Sequence, residues 1–75
     1  MSYDWRIGRL IGVGNGPPDP LGTLLGATDD EYVIQLADGS TVTKRIDAHN
    51  WLIEFDGRWQ PHKAELIDGK WWLPQ

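Results

Sequence analysis

Side chains able to do bond-making chemistry are few and widely spaced in this sequence. The imidazoles are His49 and His62, cysteine is absent, and the serines are Ser2 and Ser40. A nucleophile needs a base within hydrogen-bond reach and a third group to orient that base. Ser2 opens the chain and Ser40 follows an Asp38-Gly39 turn, and neither has such partners at a recognisable spacing. A zinc site asks for a tighter ligand pattern than His49 and His62 with Asp47 and Glu65 as the nearest acids. Gly12-Val13-Gly14-Asn15-Gly16 invites comparison with a phosphate-cradling loop. It runs into Pro17-Pro18-Asp19-Pro20, however, where a helix N-terminus would have to supply the N–H groups. The expectation is therefore no enzyme, no metal and no cofactor.

Binding chemistry is better represented. Trp71 and Trp72 are adjacent, and successive side chains of a strand point to opposite faces, so the two cannot enter the same core. If Leu66 faces Trp71 across an Asp68-Gly69 turn, Trp72 is the outward one, cross-strand from Glu65. An exposed tryptophan is a common interface anchor. The acidic run Asp29-Asp30-Glu31 lacks the spaced oxygen ligands and turn glycine of a calcium loop. It suits a solvated turn or a docking patch for a basic partner. The candidate partner-binding set is thus Trp72, Glu65, Asp29, Asp30 and Glu31.

Charge supports this choice. Net charge is −4, and all of it falls in residues 1 to 40, where six acids stand against Arg6 and Arg9; residues 41 to 75 balance. An acidic chain gains little from counterion release, so nucleic acid is not the expected partner. The alternative nucleic-acid set would be Lys44, Arg45, Arg58 and Lys63, with Trp59 as a stacking platform. No apolar run reaches membrane-spanning length, and Met1-Ser2-Tyr3-Asp4-Trp5-Arg6 lacks the layout of a signal peptide, which suggests a cytoplasmic protein.

These residues must be positioned by a small β scaffold. A chain of 75 residues, rich in glycine, proline and tryptophan, is expected to form one all-β domain over 1–75, with a Gly/Pro-rich surface loop at 14–20. Residues Tyr3 to Val13 alternate as a half-buried strand, with a bulge at Gly8 turning Ile7 and Leu10 inward together. Leu21 to Thr28 is a weaker strand. Glu31 to Ile46 is a hairpin, and a three-residue loop Ala37-Asp38-Gly39 pairs Ile34 with Val42, Leu36 with Ser40 and Glu31 with Arg45. Asp47 to Asn50 predicts a tight turn and His49 to Phe55 a strand, with a short helix as the rival. A three-residue register around Asp56-Gly57 pairs Ile53 with Trp59 and Glu54 with Arg58. A two-residue turn at Asp68-Gly69 pairs Leu66 with Trp71, Glu65 with Trp72 and Ala64 with Leu73.

Strands of this length joined by tight turns predict a bent antiparallel sheet rolled into a small barrel. At the level of pattern this resembles the Src-homology-3-like barrels, Tudor and KOW-type modules included, with residues 61 to 75 as an added C-terminal hairpin. The expected function is stoichiometric protein binding, in a small inhibitor or adaptor of the sort phages and mobile elements encode, with a homo-oligomeric structural subunit as a further alternative.

Overall fold

The hairpin over 31–45 shows most directly how this sequence makes its sheet. In a computed structural model that describes residues 4–14, 17–46 and 50–73, strands β3 (Glu31–Gln35) and β4 (Thr41–Arg45) pair Glu31 with Arg45 and Ile34 with Val42. The Leu36 N–H donates to the Ser40 carbonyl at 2.8 Å, and Gly39 has φ +89°. This is the expected three-residue loop. A Cβ at Gly39 would meet nothing within 4 Å, so Gly39→Ala tests conformation alone. It should cost about 1 kcal/mol in chemical denaturation, because a side chain is strained at positive φ.

The remaining strands are β1 (Leu10–Val13), β2 (Pro20–Ala27), β5 (Trp51–Phe55), β6 (Arg58–Pro61), β7 (Glu65–Ile67) and β8 (Lys70–Trp72). All pairs are antiparallel, and no helix occurs among the described residues. Six strands form one sheet in the order β4-β3-β2-β1-β5-β6, and β7 with β8 forms a separate hairpin. The sheet does not close: β4 and β6 remain its edges, so a barrel in the strict sense is not formed. Pro61 lies in edge strand β6, where its missing N–H costs no central ladder bond.

Alternation sends Ile11, Leu24, Tyr32, Ile34, Trp51 and Ile53 to one face, where with Trp5 they form the buried cluster. Leu66 and Trp71 reach it from the hairpin, and Phe55 from β5. Trp5, Phe55 and Trp71 meet edge-to-face, with centroids 4.7 Å apart for Trp5–Trp71 and 5.2 Å for Phe55–Trp71.

Several expectations are corrected. The first strand begins at Leu10, since residues 5–8 form a turn; Tyr3 lies outside the described residues. Ile7 and Leu10 do not turn inward together: they are 42 % and 40 % exposed. Gly8 has positive φ as the turn requires, and its N–H donates to Leu24. Arg9, which interrupts the apolar pattern, leaves the core by donating from Nε to the Trp5 carbonyl and laying its guanidinium 4.0 Å from the Phe55 ring centre. Pro20 belongs to β2 rather than to the loop, while Asn15, Gly16 and the segment 47–49, His49 included, fall outside the described residues.

The Asp56-Gly57 turn has two residues, not three. Phe55 pairs with Arg58 and Glu54 with Trp59, so Trp59 shares the outer side with Leu52 and Glu54. Asp56 and Gly57 have φ +55° and +83°, almost the values of Asp68 and Gly69, +52° and +76°. Two consecutive residues at positive φ match the twist of a tight hairpin, and Asp-Gly is among the pairs that accept it. At the last hairpin the expected pairs Leu66–Trp71 and Glu65–Trp72 form. The ladder stops there, because the Ala64 N–H turns back to the Pro61 carbonyl instead of pairing with Leu73.

Candidate functional site

The hairpin register decides which tryptophan faces solvent. Leu66 and Trp71 pack onto the core, which sends Glu65, Ile67, Lys70 and Trp72 outward on the opposite face. Trp72 is 56 % exposed, and with Ile67 and Leu73 it forms the most exposed set of large apolar side chains among the described residues. The face therefore offers an aromatic anchor, an aliphatic neighbour and a carboxylate directly across from the anchor.

Beside the hairpin lies a cleft of about 490 Å³, between the Thr28–Asp29 turn and residues 62–65. Its inner wall is a chain of oriented polar groups. Asp4 accepts from Arg6 through both carboxylate oxygens, at 2.9 Å from Nε and 2.8 Å from Nη2. Arg6 Nη1 donates to Tyr32 Oη at 2.8 Å, and Tyr32 Oη stands 2.6 Å from His62 Nδ1. The bonds from Arg6 hold the Asp4 carboxyl below its usual range. Burial pushes the Tyr32 hydroxyl up, so it keeps its proton at neutral pH. Burial, followed by the charges of Lys63 and Arg6, pushes His62 down, so its ring is neutral there. Arg6 has only donors, so the Tyr32 hydroxyl accepts from it, and with His62 neutral and bare at Nδ1 the hydroxyl donates to that nitrogen.

This chain of groups fixes the base of the hairpin. Trp5 Nε1 donates to the Ala64 carbonyl at 2.9 Å, and the His62 N–H donates to Trp51 at 3.0 Å. Both acids at the cleft mouth, Asp29 and Glu65, are exposed. The pair Asp4–Arg6 neutralises itself, so the mouth presents two carboxylates against the ammonium of Lys63.

Comparison with protein-family models, curated proteins and solved structures finds no match. Geometry alone has to assign the site.

Of the expected partner-binding residues, the structure brings three to one end of the molecule: Trp72 and Glu65 face each other across the hairpin, and Glu65 shares the cleft with Asp29. Asp30 follows on the same exposed turn and Glu31 opens β3, and neither lines the cleft. Asp30 is engaged by the Thr28 hydroxyl at 3.0 Å, and Glu31 is paired across the ladder with Arg45. The alternative basic set is divided among three elements. Lys44 and Arg45 lie on β4 and Arg58 and half-buried Trp59 on β6, at opposite ends of the strand order, while Lys63 sits at the cleft. Among the described residues no three His, Cys, Asp or Glu side chains converge as metal ligands.

Four participants escaped the sequence reading. Ile67 was legible, since alternation with Glu65 makes it a neighbour of Trp72 on the outer face. Arg6 and the inward partnership of Tyr32 with His62 were not. His62 occupies a turn, where it is half-buried and hydrogen-bonded.

Proposed function

We propose that this chain is a non-catalytic protein-binding module that acts stoichiometrically, docking through the outer face of its C-terminal hairpin. The observation that carries this is the exposure of Trp72 and Ile67 together on the outer face of a hairpin whose other face is committed to the core, with exposed Leu73 following Trp72 in the chain. Interfaces draw most of their energy from a few such anchors, surrounded by a polar rim. The rim here is acidic, from Glu65 and Asp29, and the first half of the chain adds to the same sign. A partner with a basic patch fits that field, which would steer its approach.

The rest of the scaffold is consistent with a binding role. Its strand meander, with β5 returning beside β1, supports kinship in architecture with the small Src-homology-3-like barrels, here left open at its edges. No helix among the described residues is long and apolar enough to cross a membrane. A cytoplasmic inhibitor or adaptor is the form of action we favour.

The test is affinity capture from the native host with the wild-type chain, Trp72→Ala and Leu25→Ala as baits. Leu25 is 43 % exposed but belongs to β2, away from the hairpin, so it controls for general stickiness. A protein retained by wild type and Leu25→Ala and lost from Trp72→Ala supports the proposal. Retention of nucleic acid with steep salt dependence, abolished by Lys44→Ala or Arg58→Ala, would replace it.

A further inference from the structure

The hairpin that carries Trp72 shares no ladder with the six-stranded sheet. What seats it is the segment 62–64, together with the packing of Leu66 and Trp71. Within that segment, His62 is joined to the sheet through the Tyr32 hydroxyl, 2.6 Å from Nδ1. Tyr32 Oη already accepts from Arg6, and a neutral His62 with Nδ1 bare takes the tyrosine hydrogen, which satisfies every group in the chain. A protonated imidazole carries N–H on both nitrogens. It would aim a second donor at Tyr32 Oη, displace the tyrosine hydrogen from Nδ1, and place a positive charge near Arg6.

We propose that protonation of His62 unseats the C-terminal hairpin from the sheet, so that the hairpin is held in its docked position only while His62 is neutral.

The charged and titratable groups around His62 come from every side of the cleft: Asp4 and Arg6 from the turn before β1, Asp29 from the turn between β2 and β3, Tyr32 from β3, and Lys63 and Glu65 from its own segment. Asp4 is spent on Arg6. Asp29 and Glu65 would welcome a cation, but burial together with Lys63 and Arg6 outweighs them, and the seated ring prefers to be neutral. An unseated, solvated His62 takes its proton near the ordinary value of about 6.5. A group that binds protons more readily in the open state favours that state as pH falls, so the seat weakens below about pH 6.5 and recovers above it. The Asp4–Arg6 pair stays ionised through this range, because Asp4 titrates below the ordinary carboxylate value. For partner binding, the consequence rests on the hairpin being the docking face; the unseating itself does not.

Hydrogen exchange followed by NMR on the full chain, without any partner, tests it. The Trp5 indole N–H and the His62 amide report the seat, since they donate to Ala64 and Trp51; the Leu24 amide, donating to Arg9, reports the sheet. After correction for intrinsic chemistry, protection of both seat reporters should fall by about tenfold or more between about pH 7.5 and about pH 5, with Leu24 unchanged. His62→Gln keeps an oxygen acceptor for Tyr32 and cannot titrate, so its protection should be flat over the same range. Lys63→Ala removes a repelling charge and should move the wild-type midpoint to higher pH. Equal loss at Leu24 and the seat would mean global unfolding and would overturn the proposal. So would flat wild-type protection, or an unchanged pH dependence in His62→Gln. Failure of the docking assignment alone would leave these exchange results intact.

Discussion

Trp71→Ala should lower the stability of the domain by about 3 kcal/mol, whereas Trp72→Ala, one residue on, should change it by no more than about 0.5 kcal/mol. Trp71 stands edge-to-face with Trp5 and Phe55 and opposes Leu66, so its removal leaves a cavity that three neighbouring side chains line. Losing the two aromatic contacts adds to the loss of buried area. A chain of 75 residues has a total stability of only about 4 to 11 kcal/mol, so the cost is a large fraction of the whole. Thermal unfolding should show it as a midpoint lower by about 12 to 24 °C, against a shift of about 4 °C or less for Trp72→Ala. The reverse pattern would require the hairpin to be paired one residue out of register, which exchanges its two faces.

The second large effect belongs to a glycine with no room beside it. A Cβ at Gly22 would come within 2.1 Å of the Gln35 carbonyl oxygen and 2.9 Å of an Ile34 methyl. Neither can yield easily: one is backbone of the neighbouring strand and the other belongs to a fully buried side chain. Gly22→Ala therefore has to push β2 and β3 apart where Thr23 pairs with Gln35 and Leu24 with Ile34, opening the centre of the sheet. We expect a loss of about 3 kcal/mol or more, at or beyond the upper end of ordinary overpacking. Gly26, on the same strand, is the control. A Cβ there would meet nothing within 4 Å, so Gly26→Ala should be neutral or slightly stabilising through its effect on the unfolded chain. Similar denaturation midpoints for the two variants would mean that the close approach of β2 to β3 is not as described.

What could be read from the sequence was local, and what could not was long-range. The Glu31–Arg45 hairpin was legible because a single register puts Ile34 against Val42 on one face and gives Gly39 the conformation its loop demands. Asp68-Gly69 was legible for the same reason, and with it the outward placement of Trp72. The Asp56-Gly57 turn was misassigned by matching Ile53 to Trp59, apolar to apolar, when Trp59 belongs with Leu52 on the outer side. A better clue was present in the shared frame of Phe55-Asp56-Gly57-Arg58-Trp59 and Ile67-Asp68-Gly69-Lys70-Trp71, since like turns demand like backbone. The first strand was drawn too long because alternation continues through residues that the chain uses as a turn, where Gly8 supplies a positive φ and Ile7 stays in solvent.

The cleft illustrates the other limit. Tyr32 and His62 are 30 residues apart and Arg6 is 26 from Tyr32, and no local pattern links them. They meet because β5 returns beside β1 and β6 carries the chain back toward β3, a consequence of topology that periodicity does not express. Likewise Asp29 and Glu65 were each named as candidates, but their position at one cleft mouth follows only from the seat of the hairpin.

The central claim, that the outer hairpin face is the docking surface, is tested most directly by calorimetric titration of the captured partner into the wild-type chain, Trp72→Ala and Leu25→Ala. Trp72→Ala should weaken binding by about 2 kcal/mol or more, roughly thirtyfold, while its thermal midpoint stays close to wild type. Leu25→Ala should bind as the wild type does. Undiminished affinity of a folded Trp72→Ala chain, or a loss confined to Leu25→Ala, would contradict the claim and move the docking surface to the outer face of β1 and β2.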